Sequence, residues 1–432
     1  MRSVFSSLKW LYPGMRVKRW LLLVPVGAFA IVLGVGLLAR HAVIDYLDSA
    51  ARVGFNLFGI DLREPTAFIP ISAALILIGL VLIFVAIRQV IRSILSVINP
   101  GARDKLADLI FQNRYLAQGQ RIVVVGGGTG LSTMLRGLKQ YTSNIVAIVT
   151  VTDDGGSSGT LHRELGMLPP GDIRNCLVAL SDAEPLMTEL FQYRFDGGTG
   201  GLQGHSFGNL LIAAMTNITG DFERAVQETS NVLAIRGRVL PSTVQNVNIH
   251  AELCDGSLAD GETNIVSSGQ AIRHVFLTPA DVRPLEDALH AIRLADAIVI
   301  GPGSVFTSII PNLLVNGIAE AIEASRAMKV YVCNVMTQPG ETDGFTAADH
   351  VSAVANHVGE RKMFQYVLVN REVPRLDLVE KYRDQGADLV LPDIDRIKDM
   401  GYRPVLGKFI SQTDVVRHDP ERLADAILRL MG

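Results

Sequence analysis

The chain of 432 residues has a formal net charge of -3 at pH 7, so it lacks the basic surplus typical of nucleic-acid-binding proteins, and we expect no nucleic acid among its partners. Its length predicts about two or three structural units. The three cysteines, Cys176, Cys254 and Cys333, lie far apart and fit neither a disulfide framework nor a zinc site, which predicts buried thiols in a reducing compartment. Hydrophobic residues make up 48% of the chain, and the excess is concentrated at the amino terminus.

The amino-terminal segment, residues 1–93, predicts a membrane anchor of two helices. Segments 20–39 and 67–87 contain no charged residue, and each is long enough to cross a bilayer core of about 30 Å. Basic residues flank the outer ends of both segments, namely Arg16, Lys18, Arg19, Arg88 and Arg92. By the positive-inside rule, both termini face the cytoplasm and the connecting loop lies outside. We therefore expect a multi-pass protein of the inner (cell) membrane, with its soluble part on the cytoplasmic side.

The stretch 94–120 is predicted to connect the anchor to the soluble part through a linker helix. Asn99-Pro100-Gly101 breaks the chain after the second span, and residues 102–118 then carry apolar residues at helical spacing among charges. Since neither span contains an internal charge, we expect no transport path through them.

The soluble part, residues 121–432, opens with a strand, a glycine turn and a helix. Residues 122–125 form a β-branched run typical of a strand buried on both faces, and apolar residues recur at helical spacing from Leu131. Between them lies a turn of Gly126, Gly127, Gly128, Thr129 and Gly130. This geometry directs backbone N–H groups and the positive end of a helix dipole at an anion, so it predicts phosphate binding. Because Leu131 replaces the third glycine of G-x-G-x-x-G, an NAD-dependent dehydrogenase is disfavoured.

A second predicted strand, 145–151, ends in an acidic, glycine-rich loop. Asp153 and Asp154 are adjacent there, and they are followed by Gly155, Gly156, Ser157 and Ser158. Adjacent carboxylates repel each other and glycines weaken local structure, so the loop favours a ligand over a purely structural role. The two aspartates are predicted either to accept hydrogen bonds from sugar hydroxyls or to hold Mg²⁺.

The rest of the soluble part alternates between strands and helices. This alternation predicts a Rossmann-like three-layer α/β fold, in which helices cover both faces of a parallel sheet. The predicted helices include 284–294 and 312–326. The further predicted strands are 245–253, 274–277, 297–300, 329–333, 364–370 and 388–391.

Two polar clusters lie between the second strand and residue 217. The first is Asp172, Arg174 and Asn175 at the start of a predicted helix over 173–181, where Asp172 either caps the helix or contacts a ligand. The second is His205 and Asn209, beside glycines and just before a predicted helix over 210–217. A lone histidine is either structural or catalytic, and the sequence leaves both roles open.

Two further clusters follow later strands. Residues 301–308 repeat the strand, glycine turn and hydroxyl pattern, with candidates Gly301, Gly303, Ser304, Thr307 and Ser308. Two such turns in one sheet predict binding of two phosphates, or of the two ends of one phosphorylated ligand. Residues 334–342 add Asn334, Thr337 and Gln338, whose amide and hydroxyl groups suit base or sugar recognition.

These motifs, in this order, resemble those of the CofD-like superfamily and most closely its gluconeogenesis factor (YvcK-like) branch. The matching sequences are GGGTG at 126–130, TDDGGSSG at 152–159, PPGDIRN at 169–175, HSFGNL at 205–210, GPGSVFTS at 301–308 and NVMTQPGET at 334–342. The resemblance covers about 121–430 and implies a nucleotide site. In this branch, it implies binding of UDP-sugars and a role in carbon metabolism, cell shape and cell-wall synthesis. The amino-terminal hairpin departs from the usual family member.

The resemblance favours a regulatory factor that binds a nucleotide sugar such as UDP-N-acetylglucosamine. The two glycine turns would hold its diphosphate, with added charge from Arg163 and Arg174. The alternative is a Mg²⁺-dependent transferase of the 2-phospho-L-lactate transferase type, in which an aspartate or His205 deprotonates an attacking hydroxyl. Cell-wall synthesis proteins are predicted partners, and a homo-oligomer is left open.

Overall fold

The computed structural model describes residues 23–39, 65–98, 115–182, 185–195, 201–359, 361–412 and 415–432. The chain divides into two compact units, residues 1–112 and residues 113–432. Each unit has its own internal packing and is described by itself below.

The first unit contains two apolar helices, α1 (Leu23–Leu38) and α2 (Pro65–Ile98). Small residues allow the two backbones to approach closely. A Cβ at Gly27 would lie 2.8 Å from the carbonyl oxygen of Gly79, and one at Gly34 would lie 2.9 Å from that of Ser72. Close approach at small residues is how helices pack in an apolar surrounding.

The described residues do not support the predicted hairpin of two membrane-spanning helices. Among the described residues, one straight helix, Ile69–Ile91, is long and apolar enough to cross a membrane. The described part of α1 has 16 residues and is too short by the same measure, while residues 20–22 of the predicted span lie outside the described part. Most of the predicted linker helix, residues 99–114, also lies outside the described residues.

The second unit is built on a parallel sheet of seven strands in the order β10-β9-β8-β7-β1-β2-β3. The strands of the unit are β1 (Ile122–Gly126), β2 (Ile145–Val149), β3 (Arg238–Pro241), β4 (Asn248–Leu253), β5 (Leu258–Asp260), β6 (Ile272–Thr278), β7 (Ala297–Ile300), β8 (Met328–Val332), β9 (Tyr366–Asn370), β10 (Arg403–Gly407), β11 (Ile410–Gln412) and β12 (Val416–His418). β1 lies between β2 and β7, and every residue of β1 and of β7 is buried, as expected of central parallel strands.

The strand order reverses at β1. The chain builds the sheet outward in one direction through β2 and β3, and in the other through β7, β8, β9 and β10. In open α/β sheets, a crevice forms at such a reversal, outside the carboxyl ends of the strands.

Short helices connect these strands. They are α3 (Gly128–Leu138), α4 (Gly156–Leu165), α5 (Gly171–Leu180), α6 (Pro185–Gln192), α7 (Phe207–Thr219), α8 (Phe222–Leu233), α9 (Glu262–Ser267), α10 (Glu286–Leu294), a π-helix (Val305–Ile309), α11 (Ile310–Leu314), α12 (Ile318–Ala324), α13 (Ala347–His357), α14 (Leu376–Arg383), α15 (Ile394–Asp399) and α16 (Pro420–Met431). The seven parallel strands confirm the predicted α/β class.

Several predicted elements differ from the observed ones. The predicted strands 245–253 and 274–277 exist as β4 and β6, but they pair antiparallel in a separate sheet of order β5-β4-β6. Residues 388–391 form no strand and contribute only an isolated bridge between Leu389 and Met336. The predicted helix 312–326 is broken into α11 and α12, because Gly317 adopts a left-handed conformation with φ of 82°.

Candidate functional site

A cavity of about 470 Å³ lies at the carboxyl end of the parallel sheet, where the strand order reverses. Loops that follow β1, β2, β7 and β8 all contribute to its wall. Ten predicted ligand residues line it: Gly128, Thr129, Gly130, Asp153, Asp172, Gly303, Ser304, Ser308, Asn334 and Gln338. The glycine turns and the acidic loop, which are far apart in sequence, therefore meet at one cavity.

The two glycine turns touch each other. A Cβ at Gly130 would lie 2.7 Å from the carbonyl oxygen of Pro302, and a Cβ at Gly303 would lie 3.1 Å from that of Gly127. Gly128 has a φ of 67°, which favours glycine, and it begins α3. The amino terminus of α3 and the turn after β7 therefore form adjoining parts of one wall.

Side chains after β8 hold the second glycine turn. The Asn334 side chain donates to the Gly303 carbonyl oxygen at 2.9 Å and accepts from the Gly303 N–H at 3.3 Å. The Ser304 hydroxyl donates to the Gln338 side chain, which in turn donates to Glu341 Oε1 at 2.6 Å. Asn334 and Gln338 thus shape the turn as well as lining the cavity.

Four carboxyl groups lie in or behind the cavity. Burial and the charge of Asp153 raise the pKa of Asp172 to about 6. Burial, followed by the charges of Asp153, Asp172 and Glu341, raises the pKa of Glu262 to about 9. Burial also raises the pKa of Glu341 to about 7, although Thr307 donates a hydrogen bond to its Oε1 at 3.1 Å. The site therefore contains carboxyl groups that hold protons near neutral pH.

Asp154 does not share the cavity with Asp153. Its Oδ1 accepts hydrogen bonds from the backbone N–H of Thr263 at 2.9 Å and from the Thr263 hydroxyl at 2.7 Å. Consecutive side chains of an extended segment point in opposite directions, which explains why adjacent carboxyl groups separate. The expectation that the two aspartates face one ligand side by side does not match this geometry.

The remaining predicted residues lie outside the cavity wall and mostly in a hydrogen-bonded layer behind the acidic loop. His205 Nδ1 lies 3.0 Å from the Ser157 hydroxyl, to which Asn209 also donates at 3.1 Å. Arg174 is buried and donates to Ser206 Oγ at 2.5 Å. The residues outside the wall are Gly126, Gly127, Asp154, Gly155, Gly156, Ser157, Ser158, Arg163, Arg174, Asn175, His205, Asn209, Gly301, Thr307 and Thr337.

Sequence reasoning missed several residues of the cavity wall. The missed polar and aromatic members are Thr133, Glu262, Tyr382, Arg417 and His418. Glu262 follows a strand of the small antiparallel sheet, and the last three come from the carboxyl-terminal part, so none directly follows a strand of the parallel sheet that would have placed it at this edge. His418 is buried, and burial lowers its pKa to about 4.

The predicted magnesium ion fits the donor chemistry of two residues. Among the described residues, no group of three or more His, Cys, Asp or Glu side chains is arranged to hold a metal. However, Mg²⁺ is usually held by one or two carboxylates together with substrate phosphates. Of the predicted ligands Asp153 and Asp154, only Asp153 lines the cavity, and Asp172 supplies a second carboxylate beside the glycine turns. Burial and then the charge of Asp153 raise the pKa of Asp172, and a cation would offset that charge.

A larger cavity, of about 700 Å³, lies at the opposite, amino-terminal edge of the sheet. Its arginines already pair with carboxylates: Arg121 with Asp296, Arg236 with Asp182, and Arg238 with Asp287. Among the residues that the structure describes, its wall includes neither of the two glycine turns. We therefore place the candidate site at the smaller cavity, which both turns line.

Comparison with known proteins identifies the family. Residues 122–410 match the family model described as 2-phospho-L-lactate transferase CofD. The chain belongs to the CofD family. The gluconeogenesis factor of Bacillus subtilis is 51% identical over 317 residues, which cover 73% of this chain and 99% of the relative. The gluconeogenesis factor of Halalkalibacterium halodurans is 53% identical over 311 residues, covering 72% of this chain and 96% of the relative.

Two further comparisons concern the CofD-family part and the whole chain. A crystal structure of a Bacillus halodurans protein superimposes with a TM-score of 0.70 at 51% identity, covering 72% of this chain and all of that one. A Nostoc relative is 48% identical over 429 residues, covering 98% of this chain and 92% of the relative. These relatives confirm the gluconeogenesis factor branch that the six motifs predicted.

The pKa of Glu341 predicts a pH-dependent contribution to stability. Between its ordinary pKa of 4.5 and its folded pKa of about 7, the folded chain binds more protons than the unfolded chain. This contribution to stability is complete below the ordinary pKa of Glu341 and is lost as the pH rises through its folded pKa. The glutamine of Glu341→Gln stays neutral at every pH. We therefore expect the variant to lose about 1–3 kcal/mol less of its free energy of unfolding than the wild type over this pH range.

Thermal unfolding of the purified full chain at about pH 5 and about pH 8 measures this difference. The exposed Glu286, which pairs with Arg293, provides the matched control Glu286→Gln. The control should keep the pH dependence of the wild type. An unchanged pH dependence in Glu341→Gln would contradict the assignment of this group.

Proposed function

We propose that the chain is a membrane-anchored, cytoplasm-facing regulatory factor that binds a nucleotide sugar of the UDP-N-acetylglucosamine class at the carboxyl-end cavity. One observation carries this proposal: both glycine turns and a set of carboxyl and amide side chains line the same cavity. The names of the relatives, gluconeogenesis factors, support the regulatory part. They give no support to the dehydrogenase alternative.

The cavity offers different chemistry to the two halves of such a ligand. The amino terminus of α3 suits the diphosphate, because its dipole favours an anion and no acidic residue lies in its first turn. The turn after β7 adjoins this helix start in the same cavity wall. Carboxyl groups form hydrogen bonds with hydroxyl groups, and Glu262, whose pKa is raised to about 9, is neutral near pH 7, so Asp153 and Glu262 suit the sugar. If Mg²⁺ accompanies the ligand, Asp153 and Asp172 are its proposed protein ligands, and the ion would offset the charge of the phosphates.

The proposed regulatory role connects ligand level with carbon metabolism, cell shape and cell-wall synthesis. A protein that binds a nucleotide sugar without consuming it reports the concentration of that sugar to a partner. Cell-wall synthesis proteins remain the predicted partners, and self-association into a homo-oligomer remains a prediction.

Membrane anchoring is part of the same proposal. The span Ile69–Ile91, the glycine contacts between α1 and α2, and similarity to the Nostoc relative along nearly the whole chain support it. The full chain should stay with the membrane fraction during extraction with alkaline carbonate, because apolar helices are not released by charge effects. Release of most of the chain into the supernatant would reject the anchor.

A charge introduced at the edge of the first glycine turn tests whether this turn binds the diphosphate. Thr129 is exposed and lines the cavity, so a larger side chain there does not disturb the core. Thr129→Glu should weaken binding of UDP-N-acetylglucosamine by at least about tenfold, because the new carboxylate repels the diphosphate. Thr129→Gln, which has the same size and no charge, should stay within about threefold of the wild type.

Isothermal titration calorimetry of the full chain in detergent measures these affinities. Absence of heat with the wild type at millimolar UDP-N-acetylglucosamine would reject the nucleotide-sugar proposal. Equal weakening by the glutamate and glutamine variants would place the diphosphate elsewhere, because charge repulsion would then not explain the loss.

Transferase chemistry is the second candidate, and the family description together with the pKa of Asp172 favours it. A carboxyl group with a pKa of about 6 can accept a proton from an attacking hydroxyl near neutral pH. In this candidate, the chain releases nucleotide when it is incubated with nucleotide sugar, Mg²⁺ and a pool of alcohols. Asp172→Asn should then abolish release while nucleotide binding persists. If the wild type releases no nucleotide, the transferase candidate is rejected and the regulatory proposal stands.

A further inference from the structure

The segment that follows β5 of the small antiparallel sheet contributes one carboxyl side chain to the cavity. β5 ends at Asp260, and Gly261 turns the chain with a φ of 85° into α9, whose first residue is Glu262. Glu262 lines the cavity together with Ser304 and Gln338 of the parallel-sheet loops. The carboxyl group therefore reaches the site from a second structural layer, which must be held in place.

Asp154 holds this layer from one side. Its Oδ1 accepts both the backbone N–H and the hydroxyl of Thr263, as described above. A Cβ at Gly261 would lie 1.9 Å from Asp154 Oδ2, so the carboxylate packs directly against that glycine. Asp154 thus contacts both residues that flank Glu262 in sequence.

The loop after β8 holds the same layer from the other side. Gly340 has a φ of 82°, and a Cβ there would lie 2.1 Å from the carbonyl oxygen of Val266 in α9. The next residue, Glu341, accepts a hydrogen bond from Thr307 and is close enough to Glu262 for its charge to act on that group. Glu262 is consequently fixed between two loops of the parallel sheet.

We propose that Glu262 contacts the sugar of the bound nucleotide sugar through its hydroxyl groups, and that Asp154 is a positioning residue that holds Glu262 there. This inference rests on the proposed function and adds the residues that distinguish the sugar from the nucleotide. Asp154 has both contacts of its Oδ1 within the protein, so it acts through α9. The sugar, unlike the diphosphate, presents neutral hydrogen-bonding groups that a carboxyl group can bind without charge repulsion.

Calorimetry with two ligands, UDP and UDP-N-acetylglucosamine, tests the assignment on the full chain. Glu262→Ala and Asp154→Ala should each weaken binding of UDP-N-acetylglucosamine by at least about tenfold. Their affinity for UDP should stay within about threefold of that of the wild type. Asp154→Asn should restore sugar binding, because the amide oxygen still accepts both hydrogen bonds from Thr263. Ser267→Ala, an exposed change at the far end of α9, is the matched control and should bind both ligands normally.

Each other outcome overturns the inference. If Glu262→Ala binds the sugar nucleotide as tightly as the wild type, Glu262 does not contact the sugar. If the variants lose affinity for UDP and UDP-N-acetylglucosamine equally, α9 has only a structural role. A loss in Asp154→Asn as large as in Asp154→Ala shows direct contact of the carboxylate with ligand or metal. A wild type that binds neither ligand rejects the proposed function and this assignment with it, whereas normal binding by wild type and variants rejects the assignment alone.

Discussion

Close backbone contact between the two glycine turns is the constraint on which the site depends. Gly130 lies against the carbonyl of Pro302 at a distance that excludes a side chain, and Gly303 lies against that of Gly127, where a Cβ would make a tight contact. This contact follows from the pairing of β1 with β7, which places the loops after both strands at the same edge of the sheet. The point where the strand order reverses therefore carries N–H groups from two separate parts of the chain.

Carboxyl groups lie around these glycine turns, and this combination determines what the cavity can hold. A phosphate next to Asp153 and Asp172 is favourable only where backbone dipoles or a cation offset the repulsion. Glu262 and Glu341, with raised pKa values, add groups that can donate a hydrogen bond when protonated. A ligand with a charged diphosphate and a neutral polyhydroxyl part satisfies both regions, which is the physical basis for the nucleotide-sugar proposal.

Local sequence signals predicted the elements that are determined locally. The β-branched runs at 122–125 and 297–300 lie in central strands, and three of the glycines that follow them, Gly128, Gly130 and Gly303, line the cavity. The short edge strand β3 and the strand β10 escaped prediction, because neither is a clear apolar run. The strands β4 and β6 were found, but their antiparallel pairing in a second sheet depends on tertiary packing that no local pattern encodes.

The site residues also divide into those that local sequence predicts and those that depend on tertiary packing. Glycines and hydroxyls that come directly after a strand were predicted because the geometry of a strand end is local. Glu262, Tyr382 and His418 reach the cavity only through the packing of other layers, so sequence spacing gave no signal for them. The separation of Asp153 from Asp154 depends on the direction of each side chain in an extended loop. Their adjacency in sequence therefore predicted a pair that the folded chain does not form.

A crystal structure of the chain with UDP-N-acetylglucosamine tests the central claim most directly. We expect density for the diphosphate between the glycine turn at Gly128 to Gly130 and the turn at Gly303 and Ser304. Density for the ligand at the amino-terminal edge of the sheet, or outside the space between the two glycine turns, would contradict it.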